Sequence, residues 1–333
     1  FSRVILPDTP ALSFAMIAIY FLYLFTLTKN HYLEFIFFIL SSLMFATALL
    51  VKPMTAFYGL VIIYLYHRKY SFGFLKKFSF YLYLVITALP FLLWREYIKS
   101  YPEGIPYSDW LIMIVNTYQG KQNIFFRPAF FRWIFFERIN NLILGGYLIF
   151  LFILGIIVKP KKYFFHILLL SATIYLFVFQ GGNVQHEYYQ VMILPPLAIF
   201  IGMGAYHLIS NGKTFLHPVI TYLTIMLIFA LSFFFSYFTV RNYYNYPSDL
   251  LQIAKIANAL TKDTDRIITD RTGDTTLLYL MDRKGSPAVF MEPEELKKLG
   301  YNYLLTQNMD YLKKLKLEYE VVFENNNFGL LKL

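Results

Sequence analysis

Long apolar runs fill the first 240 residues, and polar residues interrupt them at short intervals. A membrane-crossing helix takes about 20 mostly apolar residues, with 17 to 25 the usual range. Eight segments meet or approach that length: roughly 11–28, 33–51, 54–67, 78–94, 141–158, 164–179, 189–209 and 218–240. The third is short and needs Lys52 and His67 to snorkel at its ends. Pro90 and the pair Pro195 and Pro196 lie inside apolar runs, where membrane helices tolerate kinks because neighbours re-satisfy the backbone. The pattern predicts a transmembrane domain over 1–240 with about eight spans. An even count puts both of its ends on one side.

From Tyr246 the texture changes to that of a soluble domain. Pro247–Thr261 carries Leu, Ile and Ala at helical spacing, and Arg266–Asp270 reads as a short buried strand. Thr275–Met281 predicts a helix, Tyr301–Thr306 a strand and Asp310–Lys316 a helix. Glu318–Leu333 resembles a hairpin turning at Asn325–Asn327. Strands alternating with helices argue for a small α/β domain over 241–333. Asp270, Asp274 and Asp282 suggest a metal cluster on first sight, but turn and cap duty suits these residues better.

Composition agrees with the pattern. Of 333 residues, 58% are hydrophobic and only 15% charged, against about 25% charged in average soluble domains. A disordered chain and a simple soluble enzyme are both excluded. With no cysteine, disulfides, thiolate-bound zinc, iron–sulfur clusters and thiol catalysis are excluded too. Residues 241–333 hold 13 basic and 13 acidic side chains, so the membrane part carries the whole net charge of +10. Such a balance points to lipid head groups or phosphate-bearing substrates and away from nucleic acid. The chain also opens on Phe1, without Met or a leader, and reads as a fragment or a processed chain.

Lys and Arg are concentrated in alternate loops: Lys29; Arg68, Lys69, Lys76 and Lys77; Lys159, Lys161 and Lys162; and Lys213. By the positive-inside rule those loops are cytoplasmic. Asp8, Lys52, the 95–140 loop, His186 and the C-terminal domain then share the outer face. Six of the seven acidic residues before 241 also fall there, Glu34 being the exception. The 95–140 loop is long for a structureless connection. Trp94, Trp110 and Trp133 lie in it or at its edge, and Ser108–Gln119 and Arg127–Arg138 predict two surface-lying helices. It is either a membrane-resting anchor or a lid over a cavity holding a lipid-linked substrate.

Charged groups in or beside spans are costly and therefore point to function. Three constellations stand out. Arg3 to Pro10 places Asp8 at the outer mouth of the first span. The carboxylate is either a helix N-cap, or it holds a divalent cation or orients an acceptor. Lys52-Pro53 joins two spans, where the ammonium either snorkels or binds phosphate. Gln185 to Gln190 sends six hydrogen-bonding side chains, His186, Glu187, Tyr188 and Tyr189 among them, into a proline-broken span. An aromatic belt explains the tyrosines but not the His-Glu pair.

At these places the sequence resembles a known family. Ser2-Arg3…Pro7-Asp8 is similar to the second acidic site of the dolichyl-phosphate-mannose–protein mannosyltransferase-like and aminoarabinose-transferase-like enzymes. Leu49-Leu50-Val51-Lys52-Pro53 resembles their Lys–Pro/Gly turn, and His186-Glu187-Tyr188-Tyr189…Leu194-Pro195-Pro196-Leu197-Ala198 their late span. The resemblance implies a GT-C-like polytopic protein of the plasma (inner) membrane with a small extracytoplasmic α/β domain. It implies a glycosyltransferase moving a hexosyl or pentosyl group from a polyprenyl-phosphate carrier to a lipid, glycan or protein acceptor in cell-envelope glycosylation. Asp8 and Glu187 are then the catalytic candidates. Arg3, Lys52, His186, Tyr188 and Tyr189 are the substrate-binding ones, with a divalent metal ion at Asp8 the one cofactor in view. The family's principal acidic motif, an Asp in its first outer loop, has no counterpart here. The expectation is that several spans precede this chain. In a different class stands a flippase for lipid-linked glycans, which calls for internal repeats that the sequence does not show.

Overall fold

The computed structural model describes residues 6–100, 114, 116–118, 122–160, 162–215, 217–245 and 248–333. Its contacts divide the chain into two compact units, Phe1–Arg241 and Asn242–Leu333.

The first unit is helical. Helix α1 (Asp8–Leu27) packs along α2 (His31–Val51), and a 3₁₀ turn at Pro53–Tyr58 leads into α3 (Gly59–Tyr70). Helix α4 (Phe78–Ile98) follows. Beyond the 101–113 stretch come α5 (Pro128–Phe131), continued as a π-helix at Arg132–Ile143, then α6 (Leu148–Ile157) and α7 (Phe164–Val178). The short α8 (Gln180–Gln185), a 3₁₀ segment at Glu187–Ile193, α9 (Leu194–Phe215) and α10 (Pro218–Val240) complete the unit. The eight apolar segments fall on these helices, with 141–158 interrupted by a turn at 144–147. Among the described residues, five helices, or six with the bent pair, are long and apolar enough to cross a membrane. Long apolar helices capable of crossing alone begin at Asp8, His31, Phe78, Glu187 and Pro218. The others are shorter or broken: the pair around Ile143 and Leu148 bends by 112°. Positive φ at Gly145 (+56°) makes that corner, where a Cβ would strike the α10 backbone at Ser232. The predicted 127–138 helix is present and runs on to Ile143, burying Phe130, Ile134 and Ile139. Most of Ser108–Gln119 lies outside the described residues.

Between apolar helices in lipid, packing and hydrogen bonds replace the hydrophobic effect as the glue. Gly155 on α6 and Gly204 on α9 show the first, since a Cβ on either would land on the other helix's backbone. Ser41 shows the second: its hydroxyl donates to the Ala18 carbonyl at 2.8 Å and lies 2.9 Å from the fully buried Tyr83 hydroxyl, tying α1, α2 and α4 together. Glu34, the acidic exception of the charge pattern, is paired with Lys69. Lys69 also donates to the Phe25 carbonyl at 2.7 Å.

The second unit is the α/β domain. Strand β1 (Ile267–Thr269) lies between β2 (Gly285–Ser286) and β3 (Tyr303–Thr306), parallel to both. Strands β5 (Gly329–Lys332) and β4 (Glu320–Glu324) extend the sheet antiparallel, giving the order β2-β1-β3-β5-β4. Helices α12 (Thr276–Met281) and α13 (Pro293–Lys298) supply the crossovers that parallel pairs require. Helices α11 (Ser248–Leu260) and α14 (Met309–Leu315) close the core. The two-residue β2 and α13 carry too little periodicity to be read in advance. The three aspartates do turn and cap work. Asp270 accepts from Thr306 and from the amides of Gln307 (3.1 Å) and Asn308 (3.2 Å). Asp274 accepts from the Thr276 amide, and Asp282 ends α12 at φ +50°. Asp270→Ala strands those amides and is expected to cost this unit about 2 kcal/mol, read by chemical denaturation.

Candidate functional site

Asp8 opens α1 beside Pro7 and Pro10, where the helix dipole favours a carboxylate. It is not an N-cap: that position is Pro7, without a side-chain bond. Instead the Asp8 carboxylate, 1% exposed, takes an ion pair from Lys52 Nζ at 2.5 Å. Lys52 stands at the C-terminus of α2 in extended conformation, turned there by Pro53, so its side chain points back to the start of α1. Burial holds its ammonium below the usual lysine range, although Asp8 opposes the shift.

The 3₁₀ segment brings the third constellation to the same place. Lys52 Nζ lies 4.3 Å from the Tyr189 ring centroid and 5.7 Å from that of Tyr188, within cation–π range. The two rings meet edge to face, and the His186 ring stacks on Tyr188 at 5.1 Å. Burial and the cations Arg138 and Lys52 hold His186 below its usual value, so the resting imidazole is neutral at pH 7. Glu187 starts the same segment, half-buried. Asp8, Lys52, His186, Tyr188 and Tyr189 therefore form one cluster, while Arg3 lies outside the described residues.

Two features of this cluster bear on chemistry. Asp8 Oδ2 is buried and meets no hydrogen-bond donor among the described residues. A buried carboxylate oxygen left so is costly, and it marks a place where an incoming hydroxyl gains a bond. The donor set, by contrast, does not suit a metal ion. Lys52 already neutralises Asp8, and no group of three or more His, Asp or Glu side chains converges among the described residues.

Sequence reasoning missed the support beneath the cluster. Arg138, on the π-helix, reaches the C-terminus of α8 and donates to the carbonyls of Asn183 (2.8 Å) and Val184 (2.7 Å) and to Gln190 (3.3 Å). Gln190, itself buried, donates to Asn183. Gln180 holds the amides of Ile124 and Phe125 at 2.6 and 2.8 Å. The one available signal was the uncharged but polar run Gln180 to Gln185 directly after an apolar span. Gly182 in that run lets Tyr189 lie close: a Cβ there would stand 2.5 Å from its ring. Gly182→Ala is expected to push Tyr189 off Lys52, a displacement that a solved structure of the variant would show.

Several helices long and apolar enough to cross a membrane, followed by a small mixed sheet, give the chain a polytopic helical fold with a C-terminal α/β unit. The solved structure of ArnT from Cupriavidus metallidurans in the apo state shares this architecture. The TM-score is 0.59 at 14% identity, and the match covers 98% of this chain and 74% of that one. At such identity the likeness is one of fold. No family model matches the chain, and no curated protein matches it in sequence.

Proposed function

We propose that this chain is a glycosyltransferase that takes a sugar from a polyprenyl-phosphate carrier and passes it to a lipid, glycan or protein acceptor at the outer membrane face. The observation that carries the reading is the buried Asp8–Lys52 pair with its one unsatisfied oxygen, set among Tyr188, Tyr189 and His186. A phosphate leaving group gathers negative charge as the sugar–oxygen bond breaks. Lys52 is the point charge placed to stabilise it, and its tyrosine walls exclude water from that charge. His186, neutral at rest, donates a hydrogen bond to the phosphate and takes up a proton more readily once the anion is beside it. Asp8 Oδ2 accepts the acceptor hydroxyl and orients it, with Glu187 as a second carboxylate for the same task. No step runs through a metal ion. The fold likeness to ArnT supports a membrane transferase at the level of architecture.

The test is incubation with radiolabelled polyprenyl-phosphate sugar in the presence and absence of acceptor. Free carrier phosphate released only with acceptor is the expected result, reduced at least a hundredfold in Lys52→Ala and more mildly in His186→Ala. If both variants transfer at the unchanged rate, this phosphate site is wrong. Unmodified carrier crossing the bilayer without release would make the protein a flippase.

A further inference from the structure

A large concavity lies towards the other end of α1 from Asp8. It is a cavity of about 810 Å³ bounded by α1, α7 and α9. Met16, Ile19, Phe164, Leu168 and Met203 line its length. Its lining on α9 runs from Ile199 to Asn211, a rise of about 18 Å at 1.5 Å per residue, close to the depth of one hydrocarbon leaflet. Along α1 it runs from Met16 to Tyr23, about 12 to 22 Å beyond Asp8, so it is separate from the ion-pair cluster.

Its mouth is basic. Arg68, Lys159 and Lys162 border it, and no carboxylate among the described residues lies within ion-pair distance of any of the three. Arg68 is instead held over the Tyr23 ring at 5.1 Å, which fixes its guanidinium at the rim. Lys69, one residue on, shows the contrast, since it is neutralised by Glu34. Three uncompensated cations at the polar end of an apolar trough of acyl-chain length make a complementary pair of surfaces for one kind of molecule.

We propose that this groove holds one acyl chain of an anionic phospholipid whose phosphate rests among Arg68, Lys159 and Lys162. The loops concerned are those that the Lys/Arg distribution assigns to the cytoplasmic side, where the leaflet is rich in anionic lipid. A zwitterionic lipid fits the trough and offers the same phosphate, but its quaternary ammonium cancels that charge and is repelled by the three cations. The bound lipid wedges α1 apart from α9 and so sets the spacing of the two helices whose far ends carry Asp8 and the Tyr188–Tyr189 segment. This inference stands independently of the proposed sugar transfer.

Native mass spectrometry of the full chain in detergent tests it, with phosphatidylglycerol, phosphatidylcholine and inorganic phosphate added in parallel. One retained phosphatidylglycerol is expected, with much weaker retention of phosphatidylcholine. A cation near an anionic head group is worth roughly a fivefold change in binding. The triple variant Arg68→Gln/Lys159→Gln/Lys162→Gln should therefore lose on the order of a hundredfold in phosphatidylglycerol retention. Met203→Trp, which fills the trough, should reduce both lipids, and Lys29→Gln/Lys76→Gln should change neither. Equal retention of the two lipids, an unchanged triple variant, or no retained lipid at all would overturn the proposal. So would inorganic phosphate displacing phosphatidylglycerol at equal concentration, because the acyl seat would then contribute nothing.

Discussion

Lys52→Ala is expected to destabilise the membrane unit by about 3–5 kcal/mol and to stop the proposed sugar transfer, because it leaves the Asp8 carboxylate buried and uncompensated. The two effects separate in a designed set. Lys52→Arg keeps the charge and should restore most of the stability, yet its larger, planar head cannot sit as a point charge between Asp8 and the Tyr189 ring. Transfer should remain low in that variant. Asp8→Asn/Lys52→Met removes both charges and should be far more stable than Lys52→Ala alone, since replacing a whole buried pair by uncharged groups is close to neutral. Thermal unfolding in detergent gives the first quantity and carrier-phosphate release the second. If Lys52→Ala unfolded at the wild-type temperature, the pair would not be buried as described.

Arg138→Ala is expected to cost about 3 kcal/mol and to cut the proposed transfer, although Arg138 is placed to hold other residues and not the substrate. The guanidinium satisfies two carbonyls at the end of α8 and a third acceptor on Gln190, all in a region where water is scarce. Without it α8 loses the cation at its C-terminus, and the segment bearing His186, Tyr188 and Tyr189 loses its seat. Because Arg138 positions other residues, the loss should fall on KM for the carrier more than on kcat. Arg138→Lys should rescue only in part, as an ammonium cannot fork to both carbonyls. Removal of a nearby cation should also let His186 titrate closer to its ordinary value, a shift that NMR of the imidazole can follow. An unchanged His186 titration in a folded Arg138→Ala protein would remove Arg138 from the site.

The helices beginning at Asp8, His31, Phe78 and Pro218 were legible because lipid imposes a simple rule: a spanning segment needs a continuous run of apolar residues. The α/β domain was legible for a related reason, as alternating short periodicities mark β1, α12, β3 and α14. Charged residues beside the spans also stood out, since their cost forces them to be few. Their partners did not. Asp8 read more readily as a helix cap, and the ion pair that replaces that reading depends on where residue 52 arrives, 44 positions later.

What the order of residues determined on its own was thus the class of protein: a basic, cysteine-free, many-times-spanning helical chain with a neutral α/β domain after it. Hydrophobic length and charge bias are local properties, summed over neighbours in the chain. Which charges meet was decided only by the tertiary structure. Pairing Lys52 with Asp8, seating Arg138 on α8 and leaving Arg68, Lys159 and Lys162 without a carboxylate partner among the described residues are consequences of how helices far apart in sequence pack. Electrostatic energy in a medium of low dielectric changes steeply with distances that no linear pattern encodes.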